Sequence, residues 1–405
     1  MITARGWTLL IGSGLLWVAG HLLGAVDLYV LGTGGAALVG LATLLARLPG
    51  PRLDVRRELH PPRVYAGTES RVELIVRNAG NRRTPVFGLR DPFDNGRRQA
   101  RFLVSPLAPG ESARAAYRLP TERRGIFTLG PLEASVTDPF GLAARTIRVA
   151  GVSELTVYPR IDSIAALPHT RGDDPLSGAD HPTGVALSGE DFYALRAYEV
   201  GDDLRRVHWP STARLDELMI RQNEMPWQAR VTVLLDVRHS AHSGESLELA
   251  VSAAASIVAA CWQRGSLVRL VTTDGVDSGY GVAHAHIEAI METLASVGAT
   301  GDDRLAAVLG NLTKPGNAGG FVALFTGDAP TKEVQNVARL QWRFASLTVV
   351  LFERSAYDPT TAAQGRRHPA PAVGSIVRVD GSHTFAAAWN QAFGGRTVMA
   401  GRGFG

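Results

Sequence analysis

Two apolar runs lie back to back within the first fifty residues, Trp7 to Leu23 and Leu28 to Leu45, and neither contains a full charge. At about 1.5 Å per helical residue each run approaches the roughly 30 Å of a hydrocarbon core. Asp27 is the sole charge in the turn between them, so the pattern predicts a transmembrane helical hairpin over residues 1–50. A secretory leader fits less well, because a second apolar run follows at once and no small-residue cleavage site separates the two. A hairpin buried in a soluble core is the other alternative. Arg5 precedes the first run, and Arg47, Arg52, Arg56 and Arg57 follow the second, while the turn has no Lys or Arg. The positive-inside bias then places both ends in the cytoplasm. The expectation is an inner-membrane protein with two spans and the bulk of the chain cytoplasmic.

Charge says less than it first suggests. The 42 basic and 38 acidic side chains nearly cancel, and all the cations except Lys314 and Lys332 are arginines, which fits a coding bias better than a set of chosen phosphate contacts. No nucleic-acid partner is expected. Residues 51–150 hold 18 basic and 10 acidic side chains, residues 151–229 hold 7 and 13, and residues 230–405 hold 15 and 14. A cationic stretch next to the membrane would be drawn to an anionic leaflet, although a solvated arginine-rich surface accounts for it equally well. The single cysteine, Cys261, excludes an intramolecular disulfide framework and any zinc site of several thiolates.

Residues 51–160 read as an antiparallel β-sandwich. Short alternating runs such as Arg71 to Arg77, Ala113 to Leu119 and Glu154 to Tyr158 are separated by turn clusters at Asn78–Asn81 and Ala108–Gly110. Residues 161–229 read as a Gly/Pro/Asp-rich loop followed by a dense polar and aromatic segment. From Val231 strand and helix alternate. Strands are expected at Val231–Asp236, Leu267–Val271, Phe321–Phe325, Leu347–Phe352 and Ser375–Val379. Helices are expected at Ser246–Trp262, Ala283–Ala295, Asp303–Leu309, Lys332–Gln341 and His383–Ala392. This predicts an α/β doubly wound domain over 230–405 with helices on both faces. The fold class is therefore multidomain: hairpin, sandwich, then α/β.

Ligands of open α/β sheets gather at the carboxyl ends of strands, which singles out Asp236 and Asp328. The run Asp236-Val-Arg-His-Ser240 resembles the Asp-x-Ser-x-Ser metal-adhesion motif of von Willebrand factor A domains, and Thr300 and Asp328 stand where such domains supply further ligands. Arg238 replaces the first serine, and a permanent cation there repels a divalent ion or stands in for it. The expectation is a degenerate metal site made of Asp236, Ser240, Thr300 and Asp328, with no cofactor and magnesium doubtful. Ser240 with His239 or His242 lacks the Gly-x-Ser-x-Gly elbow of a hydrolase, and no phosphate-binding Gly-x-x-x-x-Gly-Lys-Ser/Thr stretch occurs.

The densest stretch runs from Ser188 to Arg214. Glu190, Asp202 and Asp203 can pair with Arg196, Arg205 or Arg214, and Phe192, Tyr198 and Trp209 can anchor the segment. Two roles stay open, an interior clamp, favoured for Asp202 and Arg214, or a docking face. Gly189-Glu-Asp-Phe192, Arg196-x-Tyr198, Gly201-Asp-Asp203, Arg205, His208-Trp209 and Ala213-Arg214 together resemble the signature of the bacterial domain of unknown function 58 family. The resemblance extends to the paired helices, to Thr137-Asp-Pro-Phe-Gly-Leu142, to Val157-Tyr-Pro-Arg160 and to the von Willebrand A-like domain. It implies a companion of MoxR-type AAA+ ATPases, often alongside transglutaminase-like membrane proteins, in a family with no established enzymatic activity. The expected function is a membrane-anchored, non-enzymatic scaffold or adaptor in envelope protein maturation or assembly. The alternative is a hydrolase using acids of the signature segment, such as Glu190 with His208.

Overall fold

The structure is a computed structural model and describes residues 2–47, 50–167, 192–198, 207–215, 217–223, 229–314, 317, 319–358 and 374–399. Two compact units divide the chain, Met1–Arg160 with Met291–Val297, and Ile161–Ile290 with Gly298–Gly405.

The first unit begins with helices α1 (Ala4–Leu23) and α2 (Val26–Arg47), each long and apolar enough to cross a membrane. They meet through small residues. A Cβ on Gly32 would lie 2.7 Å from the Ser13 carbonyl oxygen, so the close approach of the two backbones depends on the missing side chain. Ten strands follow: β1 (Leu53–His60), β2 (Arg63–Tyr65), β3 (Ser70–Asn78), β4 (Phe87–Phe93), β5 (Arg98–Val104), β6 (Ser112–Leu119), β7 (Gly125–Leu129), β8 (Leu132–Thr137), β9 (Ala144–Ala150) and β10 (Ser153–Tyr158). They form sheets in the orders β1-β3-β6, β2-β10-β7 and β5-β4-β8-β9. All pairs are antiparallel except β2 with β10.

Period-two alternation builds the core. On β3, Val72, Leu74 and Val76 are buried while Arg71 and Arg77 are exposed. Each fully buried aliphatic side chain contributes about 1.5–3 kcal/mol. One polar group crosses this core. Arg57 on β1 donates to the carbonyls of Leu129 (2.8 Å) and Gly151 (2.9 Å) and lies 3.3 Å from the fully buried Asp91 on β4, which also accepts from the Tyr117 hydroxyl (2.8 Å).

The Thr137–Leu142 run has a structural job at the base of the hairpin. Asp138 closes the turn by accepting the Phe140 and Ala143 amides (3.0 and 2.6 Å). Thr3, which caps α1 by accepting the Gly6 amide, donates its hydroxyl to the Gly141 carbonyl (2.5 Å). Leu142 and Ala143 pack with Val39 and Ala42 of α2. Gly6 is required here because a Cβ would overlap the Leu142 carbonyl oxygen.

The remaining elements are β11 (Phe192–Ala197), α3 (Trp209–Leu215) and β12 (Met219–Asn223), then β13 (Arg230–Leu235), α4 (Ser246–Gln263), β14 (Leu267–Thr272), α5 (His284–Ser296), α6 (Leu305–Leu312), β15 (Gly320–Thr326), α7 (Thr331–Ala338), β16 (Ser346–Phe352), β17 (Ser375–Val379) and α8 (Phe385–Met399), all in the second unit except the part of α5 from Met291 on. Strands β13 to β17 form one parallel sheet in the order β14-β13-β15-β16-β17. The expected strands and helices of this region all appear, with boundaries moved by a few residues. The largest difference is at His383–Ala392, where α8 runs on to Met399, and at Lys332–Gln341 α7 ends at Ala338 with a 3₁₀ turn over Arg339–Trp342.

One face of the sheet, with Leu234, Phe321, Phe325 and Val349, packs on Leu305, Val308 and Leu312 of α6 and on Val334 and Val337 of α7. Alternate residues such as Val233 and Leu235 point the other way, and α4 packs against β13 to β16. By length and composition α4 too could cross a membrane, but its window is 61% buried inside the protein. Cys261 sits on α4 and is buried, as a structural thiol should be. Residues 161–167 strap onto this unit: Trp389 of α8 donates to the Ala165 carbonyl (2.7 Å), and Asn390 accepts the Ala165 amide (2.7 Å).

Candidate functional site

The parallel sheet changes direction between β13 and β15, since β14 lies on one side of β13 and every later strand on the other. That switch point is where open α/β sheets place their ligands. Asp236 follows β13 at this point and is fully buried. Its two oxygens face the Arg238 guanidinium, Nε to Oδ1 and Nη2 to Oδ2, both at 2.9 Å. The Arg238 amide (3.2 Å) and the Thr273 hydroxyl (3.1 Å) also donate to Oδ1.

The same guanidinium reaches Glu333 Oε2 (2.5 Å), at the first turn of α7, and Asp303 Oδ2 (3.3 Å), just before α6. Arg238 is itself buried, with its side chain 3% exposed. Burial works against its charge, but its hydrogen bonds to Asp236 and Glu333 and their negative charge outweigh that, and its pKa is raised above the ordinary value. One planar cation thus bridges Asp236, Asp303 and Glu333.

The four residues expected as ligands have separate hydrogen-bond partners. No hydrogen bond joins any two of Asp236, Ser240, Thr300 and Asp328 among the described residues, and no described group of three His, Cys, Asp or Glu side chains could hold a metal. Thr300 accepts the Asp302 amide (3.2 Å), and its backbone pairs with Val237 and His239. Ser240 is exposed on the 3₁₀ turn His239–Ala241. Asp328 accepts from the hydroxyls of Ser243 (2.6 Å) and Tyr357 (3.0 Å). Burial, reinforced by the Asp328 charge, pushes the Tyr357 phenol up to about 12, so it stays a donor. Asp236 and Asp328 thus each accept hydrogen bonds from protein donors.

His242 is likewise committed. Its Nε2 donates to the Asp236 carbonyl (2.7 Å) and its Nδ1 pairs with the Ser246 hydroxyl (3.0 Å). Burial first, then the Arg238 charge, lowers its pKa against the opposing pull of Asp236 and Asp328. Neither His239 nor His242 hydrogen-bonds Ser240, so no hydrolase pair forms there.

The signature segment is partly described. Strand β11 pairs antiparallel with β12, placing Arg196 opposite Ile220 and Phe192 opposite Asn223. The amides of Tyr198 and His208 donate to the carbonyls of Leu218 (2.8 Å) and Met219 (2.7 Å), and the Met219 amide donates to Thr212 Oγ1 (3.0 Å). His208 Nδ1 pairs with the Ser211 hydroxyl (2.8 Å) at the start of α3. Glu190, Gly201, Asp202, Asp203 and Arg205 lie outside the described residues, as do the side chains of Phe192 and Arg196.

Two expectations change here. Trp209 does not anchor the segment: it is 67% exposed, because α3 is tied down through backbone and hydroxyl bonds instead. Arg214 is also exposed, so its guanidinium is not the buried partner an interior clamp requires. Sequence reasoning missed Asp303 and Glu333 as partners of Arg238. Their signal was present in their positions at the starts of helices, where acids favour the positive end of the dipole, but nothing in the linear pattern pointed those helices at β13.

Residues 194–353 match the family model described as protein of unknown function DUF58. No curated protein matches the chain. Among solved structures, the CARDB domain of a Pyrococcus furiosus protein is 19% identical, over 27% of this chain and 94% of its own, with a TM-score of 0.22. The putative ApaA protein of Bordetella pertussis is 15% identical over 27% of this chain and 95% of its own, with a TM-score of 0.20. The alkylpurine DNA glycosylase AlkC of Pseudomonas fluorescens is 9% identical over 33% and 39%, with a TM-score of 0.20. Likenesses this weak carry no functional argument.

Proposed function

From a chain whose residues 194–353 belong to the DUF58 family, we propose a membrane-anchored, non-enzymatic scaffold or adaptor that works with a MoxR-type AAA+ ATPase. In this reading its sheets of residues 51–160 form a mainly antiparallel sandwich, its parallel-sheet unit is von Willebrand A-like, and its bulk lies in the cytoplasm. The observation that carries this reading is Trp209, 67% exposed on α3 within the family-matched span, with Arg214 exposed on the same helix. Tryptophan and arginine dominate binding hot spots, where truncation costs at least about 2 kcal/mol. The Arg238 guanidinium supports a metal-free switch point, since it already neutralises Asp236. A transglutaminase-like membrane protein is the second expected companion, in envelope protein maturation or assembly.

The test uses the full chain in detergent, with a MoxR-type AAA+ ATPase of the same cell as prey. Trp209→Ala should reduce capture about thirtyfold, the equivalent of roughly 2 kcal/mol, while the melting temperature stays within a degree or two. Capture unchanged by Trp209→Ala refutes the docking face. A hydrolase activity in an unbiased screen, lost in Glu190→Ala or Asp202→Ala, replaces the scaffold reading with the enzymatic one. Protease added to intact spheroplasts should spare everything after Arg47, and external digestion there overturns the cytoplasmic placement.

A further inference from the structure

At the base of the hairpin lies a cavity of about 690 Å³ that no part of the adaptor reading uses. Leu45 and Ala46 of α2 are on its lining, and Arg52, Arg82, Arg83 and Arg145 are the cations among the other lining residues. We propose that this cavity binds the phosphate-bearing headgroup of an anionic phospholipid in the leaflet around the α1 start and the α2 end. The proposal rests on the hairpin spanning the membrane.

Depth is the first argument. At about 1.5 Å of rise per residue, the 22 residues of α2 extend about 33 Å, enough to cross the hydrocarbon. Leu45 and Ala46 lie within one turn of its end at Arg47, at the level of the headgroups. The Asp138–Ala143 turn reaches further up, packing Leu142 against Val39 and Ala42, about 8–12 Å from the end of the helix. Phe140, 63% exposed at this turn, has the character of a side chain resting in the interfacial layer. The cavity therefore opens where lipid phosphates lie.

Charge is the second argument. Among the lining residues the one carboxylate is Asp138, and its oxygens already hold the Phe140 and Ala143 amides. Arg52, Arg82 and Arg83 are exposed and have no carboxylate within 4 Å among the described residues. Arg145 reaches the Arg47 carbonyl (3.4 Å), linking the cavity wall to the last turn of α2.

Rigidity is the third. The loop carrying Arg82 and Arg83 is pinned at both ends. Asn78, almost wholly buried, donates to the carbonyls of Arg82 (2.8 Å) and Leu107 (3.0 Å) and accepts the Gly80 amide (2.9 Å). Thr84 accepts the Leu107 amide at its hydroxyl (2.9 Å) and donates its own amide to the Leu107 carbonyl (2.9 Å). The two guanidiniums are thus presented on a fixed frame, and their planar forks suit a phosphate group.

The experiment places the full chain in phosphatidylcholine nanodiscs containing a small fraction of spin-labelled phosphatidylglycerol and measures the motionally restricted lipid. The proposal expects Arg82→Ala with Arg83→Ala to weaken binding about 25-fold, at roughly fivefold for each cation. Arg97→Ala with Arg98→Ala removes the same charge outside the cavity and should change binding less than twofold. Equal losses in the two pairs overturn the site in favour of diffuse attraction. Inorganic phosphate or glycerol phosphate competing at millimolar concentration overturns the lipid source and leaves a soluble phosphate site. Arg82→Lys with Arg83→Lys keeps the charge and the fold, and should give an intermediate loss. Release of the chain from membranes by alkaline carbonate refutes the hairpin, and is read separately from any lipid titration.

Discussion

Replacing Arg238 by alanine would leave the fully buried Asp236 carboxylate without the guanidinium that now bonds both its oxygens. Breaking a buried pair by removing one partner costs about 3–5 kcal/mol. The Thr273 hydroxyl and the amide of residue 238 would still reach Oδ1, so the lower end, about 3 kcal/mol, is expected. Amide hydrogen exchange on β13 and β15 in the full chain should then quicken about a hundredfold, and 1 M salt should not alter the difference because the pair is buried. Partners should rank by exposure. Glu333→Gln, 27% exposed, should cost about 1 kcal/mol, and Asp303→Asn, 56% exposed, close to nothing. Asp236→Asn combined with Arg238→Met should recover most of the loss. Calorimetry should show no magnesium heat with the unaltered chain. An Arg238→Ala cost below about 1 kcal/mol, or exchange unchanged on both strands, refutes the argument that this cation holds the switch point together.

Three further outcomes follow from other sites. Gly6→Val puts a side chain into the Leu142 carbonyl and should detach the Asp138–Ala143 turn, read as protease cleavage near Phe140 that the unaltered chain resists. Burial raises the Asp91 pKa, with Arg57 and Tyr117 opposing it. Its stabilising contribution is thus fully present below its unfolded value and lost as pH rises through the raised folded one. The stability of the unaltered chain relative to Asp91→Asn should therefore grow as pH falls toward 3.8, and a flat difference between pH 4 and 7 counts against this. Burial pushes the Cys261 thiol up to about 11, so at pH 8 a thiol reagent should label it at the rate of global unfolding and not before.

Much of this protein was legible in the linear sequence wherever a period or a run could carry the message. Two uncharged apolar runs announce the hairpin. Alternation on Arg71 to Arg77 announces β3, and the five apolar runs from Val231 onward announce the strands of the parallel sheet, because side-chain periodicity is set by the backbone geometry of each element alone. Asp236 could be placed at a strand's carboxyl end for the same reason. Its partners could not. Glu333 and Asp303 lie 97 and 67 residues away, and only the order β14-β13-β15-β16-β17 brings the starts of α6 and α7 over β13. Trp209 shows the same limit from the other side: composition makes it an anchor, whereas hydrogen bonds from Met219 and His208 hold α3 and leave the indole in solvent. The cavity at the base of the hairpin follows this pattern too, since Arg52, Arg82, Arg83 and Arg145 are scattered in the chain and converge through pairing of β8 with β4 and β9. Local patterns determine which elements form, while long-range packing decides which charges meet, because an ion pair depends on distance in space and the sequence records only distance along the chain.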